Sequence, residues 1–228
     1  IIPLIIALVG FTPSYFLRFD QAHWGMHVHG ISALLWYAFV IYQPYLFSKG
    51  DITKHKKFGI YGVFLAGLTA ASAIIMIPGN ITGAEAQLAS GEISPIAPPF
   101  FLYGVSFYDF VAILGFGFSV LMAIKHSRSL DDHVMWMVST VFWVLMPALA
   151  RLALIPMFVS GQITHFANLA MLTTPLILLS ILYLMYRLKN YHIALIAAFC
   201  GNLLTYTVVP LGKSEWWINL ATILFSSK

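Results

Sequence analysis

Cysteine is almost missing from this chain. Cys200 is the only one in 228 residues, which excludes an intrachain disulfide and any metal cage built on thiolates. Charge is nearly as scarce. Asp, Glu, Lys and Arg together make 9% of the residues, where a soluble domain carries roughly 25%. No Gly-rich phosphate loop and no Ser nucleophile motif can be found, so nucleotide and serine-hydrolase chemistry have no footing. Gly115-Phe116-Gly117 lies inside an apolar run, where it suits close helix packing.

Apolar sequence fills the space that charge leaves. The chain is 60% hydrophobic with a mean hydropathy of +0.87, and apolar runs of about 20 residues recur, the length that crosses a hydrocarbon core of roughly 30 Å. Lipid offers the backbone no hydrogen-bond partners, so each run is expected to be an α-helix. The runs do not alternate as the strands of a membrane barrel would. The predicted fold is therefore all-α: one transmembrane domain over residues 1–228, with seven helices and a short eighth C-terminal piece. The spans are predicted at about 1–16, 25–47, 56–77, 101–125, 133–157, 166–187 and 191–211. The chain opens at Ile1, already apolar and without methionine, and the first span is expected to be incomplete. Asp51/Thr53, Asp131/Asp132 and Thr164 are expected to cap the third, fifth and sixth spans. The stretch 79–99 is expected to be a long loop, and Trp216 and Trp217 to anchor the last piece at headgroup level.

The pI near 9.2 is not a nucleic-acid signal. Lys49, Lys54, Lys56, Lys57, Lys125, Arg128, Arg187 and Lys189 fall in the turns after spans two, four and six, whereas the opposite loops hold little beyond Arg18 and Lys213. That asymmetry directs the first set to the cytoplasm. Membrane lipids are the expected partners, with further subunits of a membrane complex as a second class.

Two charges inside the apolar runs stand out, Asp109 and Arg151. A charge at mid-span costs roughly 2.5–3.5 kcal/mol on insertion scales, so such residues face the interior and have a partner or a task. The topology puts Asp109 about 12 Å and Arg151 about 9 Å from the outer ends of their spans. The two are expected to pair, directly or through a water, with Tyr103 and Ser106 extending the network.

The same topology sorts the eight histidines into two tiers. His23, His27, His29 and His165 belong to the outer ends, and His55, His126, His133 and His192 to the inner. Imidazole suits haem iron, copper or zinc. His27, His29 and His165 are the expected metal ligands; Asp109, Arg151, His133 and His192 are the expected cofactor-binding set, with haem b or a transition metal (Zn, Cu or Fe) as the group bound. His27 and His29 sit about 200° apart on a regular helix, so sharing a ligand requires the helix to begin only near Gly30.

Several short motifs resemble one another's setting in known proteins. Pro13-Ser14-Tyr15-Phe16, His27-Val28-His29, His55-Lys56-Lys57-Phe58-Gly59, Asp132-His133 and Pro147-Ala148-Leu149-Ala150-Arg151 together resemble a group of uncharacterised bacterial multi-spanning, histidine-containing membrane proteins. That resemblance covers spans one to five and implies a bacterial cytoplasmic-membrane protein without assigning an activity. A looser similarity is to b-type membrane cytochromes, whose histidines lie within helices rather than at their ends as here. The resulting expectation is a metal- or haem-binding redox protein with an outer-leaflet pocket. The alternatives are an accessory subunit of a larger complex and a zinc-dependent intramembrane hydrolase. Transport is the weaker idea, because no span reads as broken.

Overall fold

The computed structural model describes residues 1–160 and 165–226, apart from the side chains of 157–159. Among these residues all regular structure is helical. Ten α-helices follow in order: α1 Ile2–Phe11, α2 Trp24–Ser48, α3 Ile52–Ser90, α4 Pro99–Lys125, α5 Leu130–Val144, α6 Met146–Ser160, α7 Phe166–Leu188, α8 Ile193–Leu203, α9 Val208–Gly212 and α10 Glu215–Phe225. Five stretches are long and apolar enough to cross a membrane, namely α2, α3, α4, α7 and the run Ile193–Gly212. The pair α5 and α6, bent by 42°, makes a sixth if taken as one span. α1 is apolar but has ten residues, about 15 Å of helix. It packs on α6, where a Cβ at Gly10 would meet the Ala148 carbonyl.

Three predicted elements differ in the structure. The third span does not stop near residue 77. α3 runs 39 residues through Pro78, about 58 Å, and ends only where Gly91 adopts φ 74°, a left-handed conformation that favours glycine. Most of the expected loop is thus helix. The remaining connection is held by Gln87, whose Nε2 donates to the Ala97 carbonyl at 3.0 Å and whose Oε1 accepts from the Ser94 amide at 2.8 Å.

The other two differences are breaks. The fifth span divides at Leu145, two residues before Pro147, which has no N–H to continue the ladder. The seventh gives way to a 3-10 turn, Leu204–Thr207, between α8 and α9. A bend at Pro147 is expected from its missing N–H; the interruption of the seventh span, which otherwise passes as one apolar stretch, is not.

Helix ends follow local chemistry. Asp51 caps α3 by accepting from the Lys54 amide at 3.2 Å. Ser129, rather than Asp131 or Asp132, is the N-cap of α5, and the two aspartates occupy its first turn, where negative charge suits the helix dipole. His165 holds the cap position of α7; Thr164 lies outside the described residues. Trp217 is buried, not an interfacial anchor, and its Nε1 donates to the Tyr103 carbonyl at 2.8 Å. Trp216 is exposed.

The main core gathers Trp36, Tyr108, Phe116, Trp136, Trp143, Ile177, Ile181 and Leu195. Indole nitrogens need partners when buried, and two of these find a hydroxyl on a neighbouring helix. Trp36 donates to Thr140 Oγ1 at 3.1 Å and Trp143 to Ser119 Oγ at 3.0 Å. The Trp143 ring lies where side chains on Gly115 of α4 and Gly201 of α8 would otherwise stand.

Candidate functional site

Successive helices reverse direction, so the α2–α3, α4–α5 and α7–α8 turns share one pole. Contacts between the turns confirm it. The His55 and His133 rings are 6.3 Å apart, and His192 Nε2 lies 3.0 Å from Asp132 Oδ1. This pole carries the eight basic residues of those turns. The inner histidine tier is real as a location, but its members are fixed by local partners. His133 Nδ1 lies 2.8 Å from the Ala123 carbonyl, His126 Nδ1 2.9 Å from that of Met122, and His55 Nδ1 3.3 Å from that of Gln43. His192 also accepts from the Ala194 amide at 3.1 Å.

The outer histidines are at the other pole and turn to different neighbours. α2 begins at Trp24, so His27 and His29 are both helical and face apart. His27 Nδ1 meets the Tyr15 hydroxyl at 2.9 Å, beside the Phe19 ring. His29 Nδ1 meets Ser72 Oγ at 3.3 Å, and Ser72 meets Ser32 Oγ at 3.3 Å. His165 Nδ1 lies 2.8 Å from the Pro95 carbonyl. The structure does not bring His27, His29 and His165 together. Among the described residues, no three His, Cys, Asp or Glu side chains stand close enough to hold a metal ion.

Arg151 is where several helices do converge. Its guanidinium lies 4.6 Å from the Phe11 ring of α1 and 5.5 Å from the Phe166 ring of α7, both cation–π distances. Its charge reaches His29 of α2 and Asp109 of α4. Yet Asp109 makes no direct ion pair with it: the ion pairs within 4.0 Å among the described residues are Asp51–Lys54 and Asp132–His192. Asp109 instead accepts from Asn80 Nδ2 at 3.4 Å. Arg151 Nη1 donates to the Pro147 carbonyl of its own helix at 3.1 Å, while its Nε is sealed from solvent with no acceptor among the described residues.

Tyr103 and Ser106 do not join this network. Ser106 donates to the Leu102 carbonyl at 2.8 Å, and Tyr103 packs with Ile81, Ala84, Trp217 and Ala221. The residues that do frame the site include Asn80, which sequence reasoning assigned to a loop, and Phe11 and Phe166, which read as ordinary apolar sequence. Only their register with Arg151 marks them.

The chain matches no known family, no curated protein and no solved structure. Its helical composition and apolar spans define it as a multi-spanning helical membrane protein.

Proposed function

We propose that this protein binds an anionic group, a carboxylate or a phosphate, at Arg151, within a seven-span bundle of the bacterial cytoplasmic membrane. Seven spans result when α5 with α6, and α8 with α9, each count as one and α1 contributes the first. In this reading the basic pole faces the cytoplasm, by the positive-inside rule, and the Arg151 site lies in the outer leaflet.

The observation that carries the reading is the sealed Arg151 Nε without an acceptor, while the nearest carboxylate, Asp109, stands beyond ion-pair contact. A guanidinium has five donors in a fork that matches a carboxylate or phosphate. Leaving a buried donor of a charged group unpaired costs more than the roughly 1–3 kcal/mol of a neutral one. The aromatic walls from Phe11 and Phe166 suit an amphiphile whose acid head meets Arg151 and whose apolar part lies among the helices.

Thermal melting of the detergent-purified protein with decanoate, against uncharged decanol, tests this. Decanoate is expected to raise the midpoint saturably, and Arg151→Met to abolish the rise. Asp109→Asn is expected to strengthen it, because a like charge is removed from beside the anion. Equal responses to the acid and the alcohol would sink the reading. A haem propionate is one such carboxylate, and a Soret band in the purified protein would assign haem as the ligand. Orientation is checked separately in a Cys200→Ala background. Ser127→Cys is expected to react with an impermeant thiol reagent only from the cytoplasmic side, and Glu92→Cys only from the opposite side.

A further inference from the structure

The two broken spans meet. α5 and α8 both run from the basic pole into the membrane and both lose regular pitch there, at Leu145 and at Leu204–Thr207. Asn202, two residues before the second break, bridges them: its Nδ2 donates to the Phe142 carbonyl of α5 at 3.2 Å and to the Ala198 carbonyl at 2.8 Å. Its Oδ1 accepts from the Tyr108 hydroxyl of α4 at 3.1 Å.

The carbonyls at the end of α5 have left the helical ladder or lost their partners in it. Phe142 is served by Asn202 and Val144 by the Tyr37 hydroxyl at 3.1 Å. The Trp143 carbonyl would look to residue 147, a proline without an N–H. At the 3-10 turn, Thr205 is fully buried, and its Oγ1 has no aligned hydrogen-bond partner, although it stands close to the Tyr108 hydroxyl. Tyr108 spends its proton on Asn202, so its oxygen presents lone pairs to the same place.

We infer that the junction of the two breaks is a binding site for a sodium-class monovalent cation, held by Thr205 Oγ1, the Tyr108 hydroxyl and Asn202 Oδ1. These are neutral hard oxygens, two from the end of α8 and its turn and one from α4. The carboxyl ends of α5 and α8, the negative ends of their dipoles, point at the junction. Interrupted helices with unwound backbone are where membrane proteins place such ions. Regular α-helix at 202–208 would send Thr205 Oγ1 back to a carbonyl of its own helix, as Thr69, Thr173 and Thr174 do. Within the turn Thr207 still bonds back, to the Leu204 carbonyl at 2.7 Å, whereas Thr205 does not. The site is independent of the Arg151 anion site and uses none of its residues.

The test is thermal melting of the whole protein in detergent, with sodium chloride against choline chloride at matched ionic strength. The wild-type protein and Thr205→Ser are expected to show a saturable rise of a few degrees in sodium over choline. Thr205→Val, which keeps the shape and removes the oxygen, is expected to lose it. Where Thr205→Val does not fold, Tyr108→Phe, which keeps the ring, is expected to lose the rise instead. Identical melting of the wild-type protein in the two salts overturns the proposal, as does a sodium response that survives removal of both oxygens.

Discussion

Asp109 and Arg151 sense each other's charge across the interior of the bundle without touching. Each has a nearer polar neighbour, Asn80 for the carboxylate and the Pro147 carbonyl for the guanidinium. The distinction sets the size of a mutational effect. Breaking a contacting buried pair costs about 3–5 kcal/mol. Removing only the Asp109 charge breaks no contact of that kind, and Asn at 109 still bonds Asn80. Asp109→Asn is therefore expected to lower stability by less than about 1.5 kcal/mol. Reversible unfolding in mixed micelles measures it, and a loss near the larger figure would show that the two groups pair directly.

Close backbone approach predicts a second pattern. A Cβ at Gly104 would fall on the Val208 carbonyl, and one at Gly212 on the Phe100 carbonyl, so α9 and α4 pack backbone against backbone. Gly104→Ala and Gly212→Ala are expected to destabilise by about 1–3 kcal/mol or more. Gly117, on the same α4, has open space around it. There the alanine is expected to be neutral or to stabilise by up to about 1 kcal/mol through helix propensity. Melting temperatures of the three variants side by side make the comparison.

Trp143 predicts a coupling. Its indole occupies the space over both Gly115 and Gly201, so Gly201→Ala collides with the ring rather than with backbone. Replacing the ring by a smaller one is expected to relieve the collision. Gly201→Ala combined with Trp143→Leu should cost clearly less than the sum of the two single changes, by at least about 0.5 kcal/mol. Strict additivity in a double-mutant cycle would contradict this packing.

At the basic pole, hydrogen bonds from Lys54 hold the Asp51 carboxyl below its ordinary range. A depressed carboxyl contributes its stabilisation above its unfolded value, near 3.9, and loses it as pH falls through the lower folded value. Amide exchange at Lys54 is expected to be pH-insensitive beyond its intrinsic rate near neutrality and to accelerate additionally only below about pH 4. Asp51→Ala should show the fast exchange at every pH, because the cap is gone.

The sequence pattern announced most of this architecture where lipid dictates the outcome. Runs such as 25–47 and 101–125 agree with α2 and α4 within a few residues, because unpaired backbone is too costly in hydrocarbon to allow anything else. The extent of α3 was hidden. Asn80, Thr82, Glu85 and Gln87 look like loop composition, yet packing against α4 and α10 keeps them helical, with Ser226 Oγ donating to Glu85 Oε2 at 2.8 Å. The breaks were hidden as well. Pro147 signalled a bend, but nothing local in Leu204–Thr207 separates a 3-10 turn from continuous helix. For the site, the two charges could be found by eye, and their failure to pair could not. That depends on side-chain register between α3, α4 and α6, where a fraction of a turn decides whether Asp109 meets Arg151 or Asn80.

The length of α3 has a mechanical consequence. An uninterrupted rod of about 58 Å is nearly twice as long as the oily layer is thick, so it must lean or extend past one face, and its far third, from about Gly79 to Ser90, is a mast that starts at the depth of Asp109. α10 is lashed to that mast through Glu85 and Ser226, and the 91–98 connection through Gln87. A small rocking of the rod where it leaves the turn at Asp51 would swing its tip through several ångströms. With Asn80 and Ser72 along its length touching Asp109 and His29, such a lever would carry movement at one face of the membrane to the polar interior.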